Sequence, residues 1–86
     1  MGETSNATVV FGKDDCADTQ RSRDLLDRAA VAYTYHRVDV DSAAKMRAEA
    51  ISGVSRVPVI VVPSGAALVE PSDDELAAAL GLELEV

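Results

Sequence analysis

The spacing of apolar and polar positions changes several times along this chain, and each change marks the edge of an element. Thr8-Val9-Val10-Phe11 is a continuous β-branched and aromatic run, which suits a short strand buried on both faces of a partly parallel sheet. The polar turn Gly12-Lys13-Asp14-Asp15 follows it. Between Ala17 and Ala32, Leu25, Leu26, Ala29 and Ala30 fall at helical spacing with Arg and Asp residues interleaved, which predicts an amphipathic helix. From Tyr33 to Val40 the period drops to two. Tyr33, Tyr35 and Arg37 then point one way and Thr34, His36 and Val38 the other, as in a second strand.

The second half is punctuated by caps and turns. Asp41 or Ser42 caps a helix over Ala43 to Ile51, and Gly53 ends it. Val57-Pro58-Val59-Ile60-Val61-Val62 is the most apolar run, and the turn Pro63-Ser64-Gly65 joins it to a short strand at Ala67 to Val69, a hairpin signature. Pro71 and Ser72 open a last helix, Asp73 to Leu80, with acidic residues in its first turn and Gly81 behind. Met1 to Ala7 is small and polar and is expected to fray or extend the first strand without a role. The predicted order is βαβαββα. Strands joined by a helix run parallel and a hairpin runs antiparallel, so an α/β fold is expected, with a four-stranded mixed sheet and helices on both faces.

At 86 residues, the chain is expected to form one domain, 1–86. Aromatic residues make up only 3% of it, so the core must be built from Val, Leu, Ile and Ala. The formal charge of -7 argues against nucleic-acid or anionic-membrane partners, which are held mainly by Lys and Arg. No apolar run reaches the length of a membrane span, and the first residues lack the basic-then-apolar order of a signal peptide. A cytoplasmic monomer is expected, and the Ala, Val, Arg and Asp usage fits a high-GC bacterial source. Arg21, Arg23 and Arg28 are expected on the solvated face of the first helix, paired with Asp24 and Asp27.

Cys16 is the single cysteine and His36 the single histidine. No internal disulfide, two-thiol redox cycle or His/Cys metal cluster is therefore available, and no metal ligands are expected. Cys16 stands at the strand-to-helix turn, where unpaired amides and the helix dipole can lower a thiol pKa from about 8.5 to between roughly 3.5 and 7.5. Asp14, Asp15 and Asp18 oppose that shift by like-charge repulsion. A Thr19 hydroxyl one turn later is placed to donate a hydrogen bond to a thiolate. Against this stands a small, inert, half-buried cysteine. His36 is read as a half-exposed strand residue with no base role.

The element order, the cysteine opening the first helix and the Val-Pro step before the third strand together resemble the glutaredoxin branch of the thioredoxin-like fold, over nearly the whole chain. Phe11-Gly12-Lys13-Asp14-Asp15-Cys16 looks like the strand, lysine and nucleophile segment of that family. Val57-Pro58 resembles its cis-proline step. Leu68-Val69-Glu70-Pro71-Ser72-Asp73-Asp74-Glu75-Leu76 is similar to the strand-to-helix turn of actinobacterial mycoredoxins. The family's Cys-Pro-x-Cys motif reads here as Cys16-Ala17-Asp18-Thr19, so the proline, the aromatic and the resolving cysteine are missing. Nor does it match Cys-Gly-Phe-Ser, the iron-sulfur signature, and no bound cofactor is expected.

The resemblance implies one-cysteine chemistry. Cys16 would attack a mixed disulfide between a target protein and a low-molecular-weight thiol, glutathione or mycothiol, with Thr19 supporting the thiolate. A second small thiol would then regenerate the enzyme. Matched by position, Lys13 would meet a ligand carboxylate, the Val57 backbone before Pro58 would pair with the ligand, Ser72 and Asp73 would meet its other end, and Arg56 would add positive charge near the thiol. Two alternatives stand beside this reading. One is a catalytically silent thioredoxin-fold binding or carrier module. The other is an arsenate-reductase-like protein, which would need arginines converging on Cys16.

Overall fold

The computed structural model describes residues 7–82. Its elements are β1 (Thr8–Gly12), α1 (Ala17–Arg28), β2 (Tyr33–Arg37), α2 (Ser42–Ser52), β3 (Val59–Val61), β4 (Ala67–Val69) and α3 (Asp73–Leu80). This is the expected βαβαββα order. Met1 to Asn6, assigned to fraying or strand extension from the sequence, lie outside the described residues.

The four strands form one sheet in the order β2-β1-β3-β4. β1 runs parallel to β2 and antiparallel to β3, and β3 runs antiparallel to β4. Alternation along β1 and β3 divides the core in two. Val10, Ile60 and Val62 pack with Leu25 and Leu26 of α1 and Leu76 of α3, with Tyr33 and Tyr35 against the edge of that cluster. Phe11 and Val59 face the other way and meet Ala44 and Ala48 of α2. Helices thus cover both faces. Small alanines let α2 approach the sheet closely, while its Met46 and Ile51 stay exposed.

Two boundaries differ from the sequence reading. The first helix stops at Arg28 rather than Ala32, because Val31 N–H returns to Leu26 O at 2.9 Å and Ala30 N–H to Asp27 O at 3.1 Å. That double return is a Schellman closure with Ala30 in the left-handed region at φ 58°. The second strand ends at Arg37, not Val40. Val38 N–H still bonds Gly12 O at 3.0 Å, but Asp41 N–H turns back to Arg37 O at 3.1 Å, which converts Val38-Asp39-Val40 into the turn that feeds α2.

The arginines of α1 also differ from expectation. Arg21 pairs with Asp18 at 3.0 Å, Arg28 approaches Asp73 at 3.9 Å, and Arg23 approaches Asp14 at 3.8 Å. These partners lie in the first turn of α1, on α3 and in the turn between β1 and α1 rather than at Asp24 and Asp27, because α1 packs beside both the sheet and α3.

Candidate functional site

β1, an inner strand, delivers the chain to one end of the sheet, Lys13 to Asp15 make a turn, and Cys16 becomes the N-cap of α1 with extended backbone, φ -98° and ψ 119°. Cys16 N–H bonds Lys13 O at 3.2 Å, and Cys16 O receives the first helical bond from Gln20 N–H at 3.0 Å. The sulfur is therefore held at the amino end of a twelve-residue helix, where amides lack internal partners. It is neither fully buried nor freely exposed.

Sγ lies 4.0 Å from the carbonyl oxygen of Val57. The Val57–Pro58 peptide bond is cis. Pro58 is buried, and its carbonyl accepts Glu70 N–H at 2.9 Å, tying the step before β3 to the turn before α3. Cys16 and the Val-Pro step, 41 residues apart in sequence, thus meet at one end of the sheet.

Burial is the largest influence on the thiol and opposes its ionisation. Hydrogen bonds from the Thr19 hydroxyl and from the Thr19 and Asp18 amides outweigh it, and they also outweigh the repulsion from Asp18, so the thiol sits below its ordinary pKa. Thr19 is fully buried, and its Oγ1 accepts Lys13 N–H at 3.4 Å. The crowding expected from three aspartates reduces to Asp18, itself paired with Arg21. Asp14 is turned to β2, where its carboxylate accepts the Tyr35 hydroxyl at 2.8 Å.

A groove of about 600 Å³ opens beside this site, lined by Lys13 and Val57 and by the turn into α2, including Asp39, Ser42 and Lys45. Lys13 and Val57 are brought together there. Arg56 lies outside it on the surface, with its guanidinium 3.9 Å from Glu70. Ser72 and Asp73 also do not line it. Ser72 Oγ accepts Glu75 N–H at 3.1 Å while Glu75 returns to Ser72 N–H at 2.9 Å, a complete capping box. Asp73 faces α1, 4.0 Å from Arg21 and 3.9 Å from Arg28. With the α1 arginines directed to Asp14, Asp18 and Asp73, the converging guanidinium set that an arsenate-reductase-like site needs is not formed among the described residues.

Sequence reading missed Gly12, Tyr35, Arg23 and Arg37. A methyl at Gly12 would stand 2.6 Å from Thr19 side-chain atoms, so only glycine lets β1 pass the helix there. The alternation of β2 already put Tyr35 and Arg37 on one face. The parallel register Gly12↔Arg37 brings that face to the turn that leads into Cys16.

Among solved structures, the chain is similar to a glutaredoxin from Archaeoglobus fulgidus, with TM-score 0.75 and 20% identity over 83% of this chain and 82% of that one. A variant of the thioredoxin-like protein BC3987 gives TM-score 0.82 at 22% identity, covering 92% of this chain and all of that one. A glutathione transferase homolog from Sulfitobacter, with bound glutathione, gives TM-score 0.67 at 19% identity, covering 90% of this chain and 38% of that one. No curated protein matches. At these identities the likeness establishes the thioredoxin-like fold. The glutaredoxin profile, however, matches residues 8–65, more than half the chain and inclusive of Cys16 and the Val57–Pro58 step, and on that ground the protein belongs to the glutaredoxin family.

Proposed function

We propose that this protein is a monothiol glutaredoxin-like oxidoreductase that reduces mixed disulfides through Cys16 with a low-molecular-weight thiol. Family and fold support a thiol-disulfide oxidoreductase function. The observation that carries the finer reading is the Cys16 sulfur at a helix N-cap, 4.0 Å from the Val57 carbonyl beside Pro58. As the single cysteine, it leaves only one-thiol chemistry within the chain.

In the first step the Cys16 thiolate attacks the small-thiol sulfur of a protein mixed disulfide. A new disulfide forms between Cys16 and the small thiol, the old disulfide breaks, and the protein sulfur leaves as a thiolate that takes a proton from water. In the second step another small thiolate attacks the small-thiol sulfur on Cys16, releasing the small-molecule disulfide and restoring the Cys16 thiolate. Thr19 and the amides of the first helical turn stabilise that leaving sulfur as they stabilise the resting one.

For the small thiol, the groove between Lys13 and Val57 supports a ligand lying along the Val57 backbone as an added strand, with a carboxylate toward Lys13. Ser72 and Asp73 belong to the reading as contacts for its other end, and Arg56 as a source of positive charge near the thiol. Glutathione is one candidate, given its presence on the Sulfitobacter homolog, and mycothiol is the other. We place the reaction in the cytoplasm, with the protein acting as a monomer on a mixed-disulfide protein substrate.

Mass spectrometry of Cys16 after exposure to oxidised glutathione and oxidised mycothiol, followed by reduction with each thiol in turn, tests this. The expected result is one adduct on Cys16, removed by the matching thiol, and turnover of a small mixed disulfide that is lost in Cys16→Ser. No adduct and no turnover would leave a binding or carrier module in place of the enzyme.

A further inference from the structure

The turn that leads into Cys16 is fastened by side chains that the thiol chemistry above leaves without a role. Asp14 Oδ1 accepts the Tyr35 hydroxyl at 2.8 Å. Its ion pairs run to Arg37 at 3.4 Å and Arg23 at 3.8 Å, and its backbone carbonyl accepts the Gln20 side chain. Arg23 lies 3.9 Å over the Tyr35 ring and donates Nε–H to the Tyr33 hydroxyl at 3.2 Å. Burial, reinforced by the adjacent Asp14 carboxylate, pushes Tyr35 up to about 12. Tyr35 therefore remains a hydroxyl donor throughout the neutral range. The cluster spans α1, β2 and the turn between β1 and α1, and Asp14 is its centre.

We propose that Tyr35, with Arg23 and Arg37, is a positioning residue for Cys16, holding the Asp14 carboxylate against β2 and away from the sulfur two residues further on. The physical reason is charge. The groups that act on the thiol are the Thr19 hydroxyl, the Asp18 and Thr19 amides and the Asp18 carboxylate, and Asp18 is already paired with Arg21. A released Asp14 is a further carboxylate in the same turn, within a Debye length of the sulfur and opposed to its ionisation. Pairing with two guanidinium groups both neutralises Asp14 and fixes where it points.

This inference rests on the reading of Cys16 as a reactive thiolate but not on any turnover, so the two are tested apart. The rate of Cys16 alkylation by iodoacetamide is measured against pH. In the wild-type chain a midpoint no lower than that of free cysteine would sink the redox reading. The cluster is judged by differences between variants. Tyr35→Phe removes one oxygen and no charge, and its midpoint is expected to rise by about half a unit. Arg37→Gln is expected to move the same way, and Asp14→Asn combined with Tyr35→Phe to return the midpoint to wild type, because no carboxylate remains to swing. Circular dichroism confirms that each variant is folded. An unmoved midpoint in folded Tyr35→Phe and Arg37→Gln chains, or one still raised in the double variant, overturns the proposal.

Discussion

Gly12 and Thr19 touch so closely that a methyl on the glycine would stand 2.6 Å from both Cγ2 and Oγ1 of the threonine. The end of β1 and the first turn of α1 therefore meet with no room for a side chain, at the residue whose hydroxyl supports the Cys16 thiolate. Thr19 is fully buried and has nowhere to go. Gly12→Ala is expected to cost about 1–3 kcal/mol of stability through overpacking, and to raise the Cys16 pKa by displacing the Thr19 hydroxyl. Adding Thr19→Ser removes Cγ2 while keeping the hydroxyl, and should recover part of both losses. Urea denaturation and alkylation kinetics read the two effects separately.

The lowered Cys16 pKa has a defined signature in stability. The folded-state value lies below that of the unfolded chain, about 8.5. The stabilisation from the ionised sulfur is complete above that unfolded value and is lost as pH falls through the folded value. The stability difference between wild type and Cys16→Ser should therefore shift in favour of wild type as pH rises through that window. Paired urea titrations across pH measure it, and a flat difference would mean that the sulfur is not held as a thiolate.

Ala30 closes α1 in the left-handed region at φ 58°, a conformation that costs a residue with a Cβ roughly 1–2 kcal/mol. Glycine adopts it freely but loses more chain entropy on folding. Ala30→Gly should stabilise the protein by about 0.5–1 kcal/mol net, with Cys16 alkylation unchanged. Thermal melting with the alkylation assay checks both halves of this expectation.

Ser72 is accounted for by its capping box with Glu75. Ser72→Ala should cost about 1 kcal/mol, which for a domain of this size lowers Tm by about 4–8 °C. If capping is its whole role, kinetics with the small thiol stay unchanged well below Tm. A raised KM for that thiol at the same temperature would give Ser72 a place in ligand binding as well.

The element order is legible in the sequence, because each signal is local. The spacing of Leu25 and Leu26, the Asp41 and Ser72 caps, Gly53 and Gly81 behind their helices and the Pro63-Ser64-Gly65 turn act through a few neighbouring residues. The two overshoots, at Ala29 to Ala32 and Val38 to Val40, fall where apolar pattern continues beyond the hydrogen bonds. Backbone returns from Val31 and Asp41 end those elements, and neither residue advertises them.

By itself, then, the sequence determined the βαβαββα chain path, the split of the sheet into two apolar faces and the placing of its single cysteine at a helix start. Tertiary structure alone decided the electrostatics of that cysteine. Whether Asp14 opposes the thiolate depends on Tyr35 and Arg37, which reach it through the parallel register of β1 with β2. Whether Thr19 supports it depends on Gly12 lying flat against the helix. Hydrogen bonds and charge pairs act over a few ångströms in space, and the residues that supply them are brought to that range only when the sheet is assembled.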